Sequence, residues 1–324
     1  MIDEEDNLQP DVDDQPDGSL VLNYAVKNFG DRLRGLGPKP ISTGIKSIDR
    51  AILGFRPAKT YVVGARPGMG KTAMSTSWRR AVVGQGHVVV EFNLEMGAEE
   101  IGERELAFQS GVNLRKVMAA EGCSPDEVNR ILKAKGAINP GLWWVYDNVF
   151  SLDGIVAKCR AAARRAKREG KRIGLVIIDY IGLISDVNDN RQQSVSQCSR
   201  TFKLLSKELD CAFVVLSQLN RSCEYRDDKR PVLADIRESG SLEQDADVVA
   251  FIYREHLYDK SVPPEEAQFI IRKQRAGPIG DVRVRFNPRS VHYDDWPPAP
   301  APAVDGGSGT AADGTPHDSD VVLQ

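Results

Sequence analysis

Short apolar runs alternate with stretches of helical periodicity along most of this 324-residue chain. TYVVGA (60–65), HVVVEFNL (87–94), LWWVYD (142–147), IGLVIIDY (173–180), CAFVVLSQ (211–218) and ADVVAFIYR (246–254) are of strand length and rich in Val and Ile. Being apolar nearly throughout, they predict a parallel sheet covered on both faces. The segments 70–83, 98–109, 151–169 and 193–209, with further helical turns to about 136, read as the intervening helices. That alternation predicts a doubly wound α/β domain. EAQFIIRKQR (266–275) and DVRVRFN (281–287) alternate polar and apolar around AGPIG, as a C-terminal antiparallel hairpin would. A further helix, LVLNYAVKNFGDRLRG at 20–35, precedes the domain.

Composition sharpens the boundaries. Residues 1–18 hold eight Asp and Glu with no Lys or Arg, and residues 293–324 hold six with none, so both ends read as disordered acidic tails. The remaining 32 acidic side chains face all 43 basic ones, so the overall charge of −3 hides a formal +11 in the body. Such a surface suits a polyanionic partner, or is simply a solvated basic face. The apolar runs are too short to cross a membrane, and the acidic start is unlike a signal peptide, so a soluble cytoplasmic protein is expected. Five cysteines without a C-x-x-C pair point to reduced thiols. The domain layout expected is therefore a tail at 1–18, a candidate linker helix at 19–40, an α/β domain at 41–292 and a tail at 293–324.

The chemistry centres on ARPGMGKT, residues 65–72, between a strand and a helix. This is the setting of a phosphate-binding loop: Ala65, Arg66, Pro67, Gly68, Met69, Gly70, Lys71 and Thr72 wrap phosphates with backbone amides at a helix N-terminus. Lys71 would neutralise phosphate charge and Thr72 would hold Mg²⁺ through its hydroxyl. The usual pattern has glycine where this chain has Ala65. Asp179 ends one apolar strand and can orient a Mg²⁺-bound water, or serve as a turn residue. Glu95, after EFNL, is the candidate general base, although a Glu opening a helix is also favoured by the helix dipole. Gln218 ends FVVLSQ and can sense a γ-phosphate, or cap a loop.

Together TGIKSIDR (43–50), ARPGMGKT (65–72), LEM (94–96), VIIDY (176–180), NRQQ (190–193), SQLNR (217–221), DKRPVLADIRESGSLEQDAD (228–247) and KQRAGPIG (273–280) resemble the DnaB-type replicative helicases of the RecA-like superfamily. The resemblance covers roughly residues 41–292, and that family tolerates alanine at the place of Ala65. It implies a RecA-like fold; Lys71, Thr72 and Asp179 for ATP and Mg²⁺; Glu95 as catalytic base; and Gln218 as a switch. It also implies that Lys273 and Arg275 act on a neighbouring subunit's ATP, and that Arg237, Glu238 and Gly240 grip single-stranded DNA. A homo-hexamer acting on single-stranded DNA and forked duplex follows from the resemblance, with a primase and a helicase loader as partners. The family commonly carries a helical N-terminal domain, where this sequence has an acidic stretch and the helix at 20–35; a compact helicase of that kind suits a phage or plasmid. Two readings compete: a RecA/RadA-like or KaiC-like ATPase of recombination or regulation, and an ATP-binding loader or scaffold.

Overall fold

The computed structural model describes residues 18–34, 39–137, 139–185, 191–236, 240–297 and 321–323. The chain divides into two units, Met1–Lys39 and Pro40–Gln324. The first contains α1 (Gly18–Leu33), which exposes Val21, Leu22, Tyr24, Val26, Phe29 and Leu33. The second begins with α2 (Lys46–Ile52), β1 (Thr60–Ala65), α3 (Lys71–Gly84), β2 (Val88–Asn93), α4 (Ala98–Ser110), α5 (Leu114–Ala119), α6 (Pro125–Ala134), β3 (Trp143–Tyr146) and α7 (Leu152–Arg168). It continues with β4 (Ile173–Asp179), α8 (Arg191–Glu208), β5 (Ala212–Gln218), α9 (Gly240–Asp245), β6 (Val248–Tyr253), β7 (Glu266–Gln274), β8 (Gly280–Asn287), β9 (His292–Asp295) and β10 (Val321–Leu323).

Among the described residues the strands form one sheet in the order β10-β8-β7-β6-β1-β5-β4-β2-β3, with β9 also pairing β8. From β6 to β3 all pairs are parallel, and every residue of β1, β2, β4 and β6 is buried. This is the α/β sheet that continuous Val- and Ile-rich strands require, since neither face can meet water. The predicted hairpin is present: β7 pairs antiparallel with both β6 and β8. Helix ends follow local chemistry. Ser124 and Glu127 form a reciprocal capping box with Pro125 at the first turn of α6, and the Ser151 hydroxyl accepts from the Gly154 N–H to open α7.

The structure adds elements that periodicity does not reveal. Helices α2 and α9 have seven and six residues, too few for a repeat to register. Strand β9 runs through residue 293, where the acidic tail was expected to start, and Tyr293 is buried. Asp295 then accepts from the Lys46 and Ser47 amides, both at 2.9 Å, capping α2 from 248 residues away in sequence. Strand β10, also inside that tail, pairs with the start of β8. The ordered domain thus extends past the boundary at 292.

One charged cluster lies in the core. Glu91 of β2 accepts from Arg79 at 2.9 Å and from the Trp143 indole at 2.9 Å, while the other arm of Arg79 reaches Glu105 at 2.5 Å. Burial opposes the charge of Arg79, but the two carboxylates outweigh it and raise its pKa. Cys159, Cys198, Cys211 and Cys223 are buried, and Cys123 is half-buried.

Candidate nucleotide-binding site

Parallel strands end on a common edge, and that topology gathers the candidate residues. Ala65 closes β1 opposite Gln218 of β5 and Ile252 of β6, and Asp179 closes β4 opposite Asn93 of β2. Beyond Ala65 the chain turns through Gly68 (φ 81°) and Gly70 (φ 91°) before α3 begins at Lys71. These left-handed positions favour glycine, and they bring the loop amides round the N-terminus of α3, where the helix dipole attracts anions.

Lys71 Nζ lies 3.2 Å from Asp179 Oδ1 and 3.6 Å from Glu95 Oε2, and 4.1 Å from the centre of the Tyr180 ring. The Thr72 hydroxyl donates to Asp179 Oδ2 at 2.8 Å. Asp179 is fully buried, whereas the Glu95 side chain is 52% exposed. Arg66, Pro67, Gly68, Gly70, Lys71 and Thr72 line a cavity of about 300 Å³, with Glu95 and Gln218 at its wall.

These residues fit a magnesium nucleotide. Among the described residues Asp179 Oδ1 is buried and accepts no hydrogen bond, meeting only the Lys71 ammonium at 3.2 Å, so this oxygen already faces a cation and would be open to a metal or its water once Lys71 turned to phosphate. A Cβ at Gly68 would meet only Leu257 Cδ1, at 3.8 Å, so the cradle is open at that side. No group of three His, Cys, Asp or Glu able to hold a metal occurs among the described residues. A hydroxyl and one carboxylate, completed by phosphate oxygens, suit Mg²⁺ rather than a protein-caged ion.

Several contacts at the loop carry no motif signal. Arg66 donates to the Leu219 carbonyl at 2.7 Å and to Glu224 at 2.7 Å. Arg254, just past β6, donates to the Gly68 carbonyl at 3.2 Å, and the Tyr293 hydroxyl donates to the Met69 carbonyl. Met96, Arg104, Phe286 and Val291 also line the cavity. Met96 directly follows Glu95 in the LEM string, whereas Arg104, Phe286 and Val291 lie on elements that meet the loop only on folding, so no local spacing could have identified those three.

Lys273 and Arg275 stand at the opposite edge. Because β7 runs antiparallel to β6, Lys273 pairs with Val249 at the start of β6, whereas the loop follows the end of β1. Lys273 donates to the Glu243 carbonyl and Arg275 to the Gln244 carbonyl at 2.6 Å, in the last turn of α9. Partial desolvation, then the charge of Arg275, lowers the pKa of Lys273. Gly240 begins α9 and is exposed, while Arg237 and Glu238 lie outside the described residues. The preceding residues are clipped to the nucleotide edge: Leu219, next to Gln218, bridges Ile236, and the Asn220 amide donates to the Asp235 carbonyl at 2.8 Å. Arg226 grips the Asp235 carboxylate at 2.9 and 2.7 Å.

Sheet order, antiparallel extension and loop together define a RecA-like α/β domain with a phosphate-loop site. Residues 40–295 match the DnaB-like helicase C terminal domain, and the chain belongs to that family. It is 39% identical over 267 residues to the replicative DNA helicase DnaB of Haemophilus influenzae, covering 80% of this chain and 56% of that protein. The replicative DNA helicase DnaC of Bacillus subtilis is 39% identical over 253 residues, covering 76% and 54%. The chain thus spans about half the length of these relatives. Among solved structures it resembles the ATPase domain of G40P, with TM-score 0.78 and 34% identity over 86% of this chain and 99% of that one. It also resembles a DnaB-like replicative helicase described with its interactions with primase, with TM-score 0.77 and 34% identity over 87% and 67%.

Proposed function

We propose that this chain is the motor of an ATP-dependent DNA helicase, a cytoplasmic homo-hexameric ring that translocates on single-stranded DNA and unwinds forked duplex during replication. The observation that supports the reading is the separation of the candidate residues between two ends of the sheet: Lys71, Thr72, Glu95, Asp179 and Gln218 converge at one end, and Lys273 and Arg275 stand at the other. Cations that cannot meet their own phosphate loop are available to a neighbour's, which ties hydrolysis to subunit docking.

In this reading Lys71 turns from its carboxylate partners to the phosphates, while Thr72 and Asp179 hold Mg²⁺. A metal held by Thr72 and Asp179 would supply charge neutralisation to the bound phosphates. Glu95, the more exposed carboxylate, accepts the proton of the attacking water. Gln218 detects the γ-phosphate, and its neighbours Leu219 and Asn220 carry the change to Ile236 and Asp235, at the base of the segment holding Arg237, Glu238 and Gly240. That segment follows DNA phosphates without reading bases. The exposed apolar side chains of α1 suit docking on an adjacent subunit, and primase and loader are partners on the same family reading.

A forked-duplex unwinding assay with wild type and Lys71→Ala tests this. ATP-dependent unwinding lost in the variant is expected. Strand exchange without unwinding would favour the recombinase-like reading, and DNA-stimulated hydrolysis with neither a loader or scaffold. Native mass spectrometry showing only monomer with nucleotide and DNA would remove the ring.

A further inference from the structure

The phosphate loop is held from outside by two buried side chains that donate to its carbonyls. Arg254 is 7% exposed; its guanidinium bridges the Gly68 carbonyl and the Pro264 carbonyl, each at 3.2 Å, and lies 3.6 Å from the centre of the Phe286 ring. Its backbone amide also points at the Met69 sulfur, at 3.2 Å. Tyr293 is 1% exposed and donates its hydroxyl to the Met69 carbonyl. The Tyr293 strand is pinned to α3 in both directions: its amide donates to the Ser77 hydroxyl at 2.9 Å, and that hydroxyl donates to the Tyr293 carbonyl at 3.0 Å. The ring packs on Gly70, where an added Cβ would lie 2.9 Å from the phenol oxygen.

We infer that Tyr293 and Arg254 are positioning residues of the nucleotide site, which act by holding the Gly68 and Met69 carbonyls outward so that the loop amides face the β-phosphate. The inference rests on the nucleotide-binding reading above. A loop with two carbonyls fixed loses little freedom when the phosphate arrives, so the tethers act on binding. Burial pushes the Tyr293 phenol up in pKa, so it stays a donor at all ordinary pH. Both residues lie outside the loop motif, and one lies in the segment where the sequence predicts a tail.

The test compares Tyr293→Phe and Arg254→Lys with wild type. The first removes one donor and keeps the ring; the second keeps the charge but replaces the planar fork, whose two arms reach the Gly68 and Pro264 carbonyls, with a single ammonium centre on a flexible stem. Holding the loop serves ground state and transition state alike, so KM for Mg-ATP should rise by about 5–20-fold in each variant with kcat changing by less than about 2-fold. Titration should show a matching loss of Mg-ADP affinity and much less for AMP, which has no β-phosphate. A merely structural role would lower thermal stability and the active fraction, reducing kcat with KM intact; that result, or wild-type KM in a folded variant, overturns the inference. If Tyr293→Phe does not fold, Arg254→Lys decides by the same criterion. Wild type that neither binds nor hydrolyses ATP would instead remove the nucleotide reading itself.

Discussion

Two glycines of the same loop should respond unequally to the same substitution. Gly70→Ala places an L residue at φ 91°, ψ 34°, which costs about 1–2 kcal/mol of backbone strain. Its Cβ would also lie 2.9 Å from the Tyr293 phenol oxygen, 3.1 Å from Tyr293 Cε2 and 3.3 Å from Phe286 Cε2. Those rings are buried and cannot swing into solvent, so making room adds about 1–3 kcal/mol. Gly68→Ala meets the same kind of strain at φ 81°, but its nearest neighbour would be Leu257 Cδ1 at 3.8 Å, an ordinary contact. The expected losses are about 2–5 kcal/mol at Gly70 and about 1–2 at Gly68. Urea denaturation of both variants and wild type, without nucleotide so that ligand linkage does not enter, measures the difference. Equal losses at the two positions would refute the packing of Tyr293 on the loop.

The buried ion cluster and the far edge of the sheet give two more tests. Arg79→Met leaves Glu91 and Glu105 without their shared cation, and denaturation should show a loss of about 3–5 kcal/mol; under about 1 would mean the carboxylates find other partners. Asp247 accepts from the Thr60 amide at 2.9 Å, from Lys203 at 2.5 Å and from Lys59 at 3.3 Å. Burial opposes its ionisation, but the Lys203 and Thr60 hydrogen bonds and the two lysine charges outweigh it, and its pKa is lowered. A carboxylate with a lowered folded pKa stabilises above its unfolded value of about 3.9, and that contribution fades as pH falls through the folded value. The stability gap between wild type and Asp247→Asn should therefore be full at pH 7 and shrink below about pH 4; a gap that stays constant in acid would show that the ionised form contributes nothing.

Within the site, the features set by local sequence are legible from the chain alone. The loop between β1 and α3, and the strand tips at Asp179 and Gln218, were visible because each depends on residues a few places apart. Glu95 was placed near the loop by its strand, and its 3.6 Å approach to Lys71 needed the fold. Arg254 and Tyr293 were not visible: their partners Gly68 and Met69 are up to 224 residues away, and neither has a neighbour in sequence that marks its role. The tail boundary failed for a related reason. HYDD is acidic and only four residues long, and it becomes a strand because β8 offers an edge and because Tyr293 and Asp295 find buried partners on α3 and α2.

Sequence alone determined the alternation of strand and helix, the phosphate loop and the carboxylates that follow strand ends, since periodicity and turn chemistry are local properties. It also carried the family, through motifs that survive as continuous strings. Tertiary structure decided the strand order, the core ion cluster, the outer tethers of the loop, and the placing of Lys273 and Arg275 at the far edge. Those depend on which strands neighbour one another and in which direction they run, and one reversal, β7 against β6, was enough to separate two cations from the loop of their own chain.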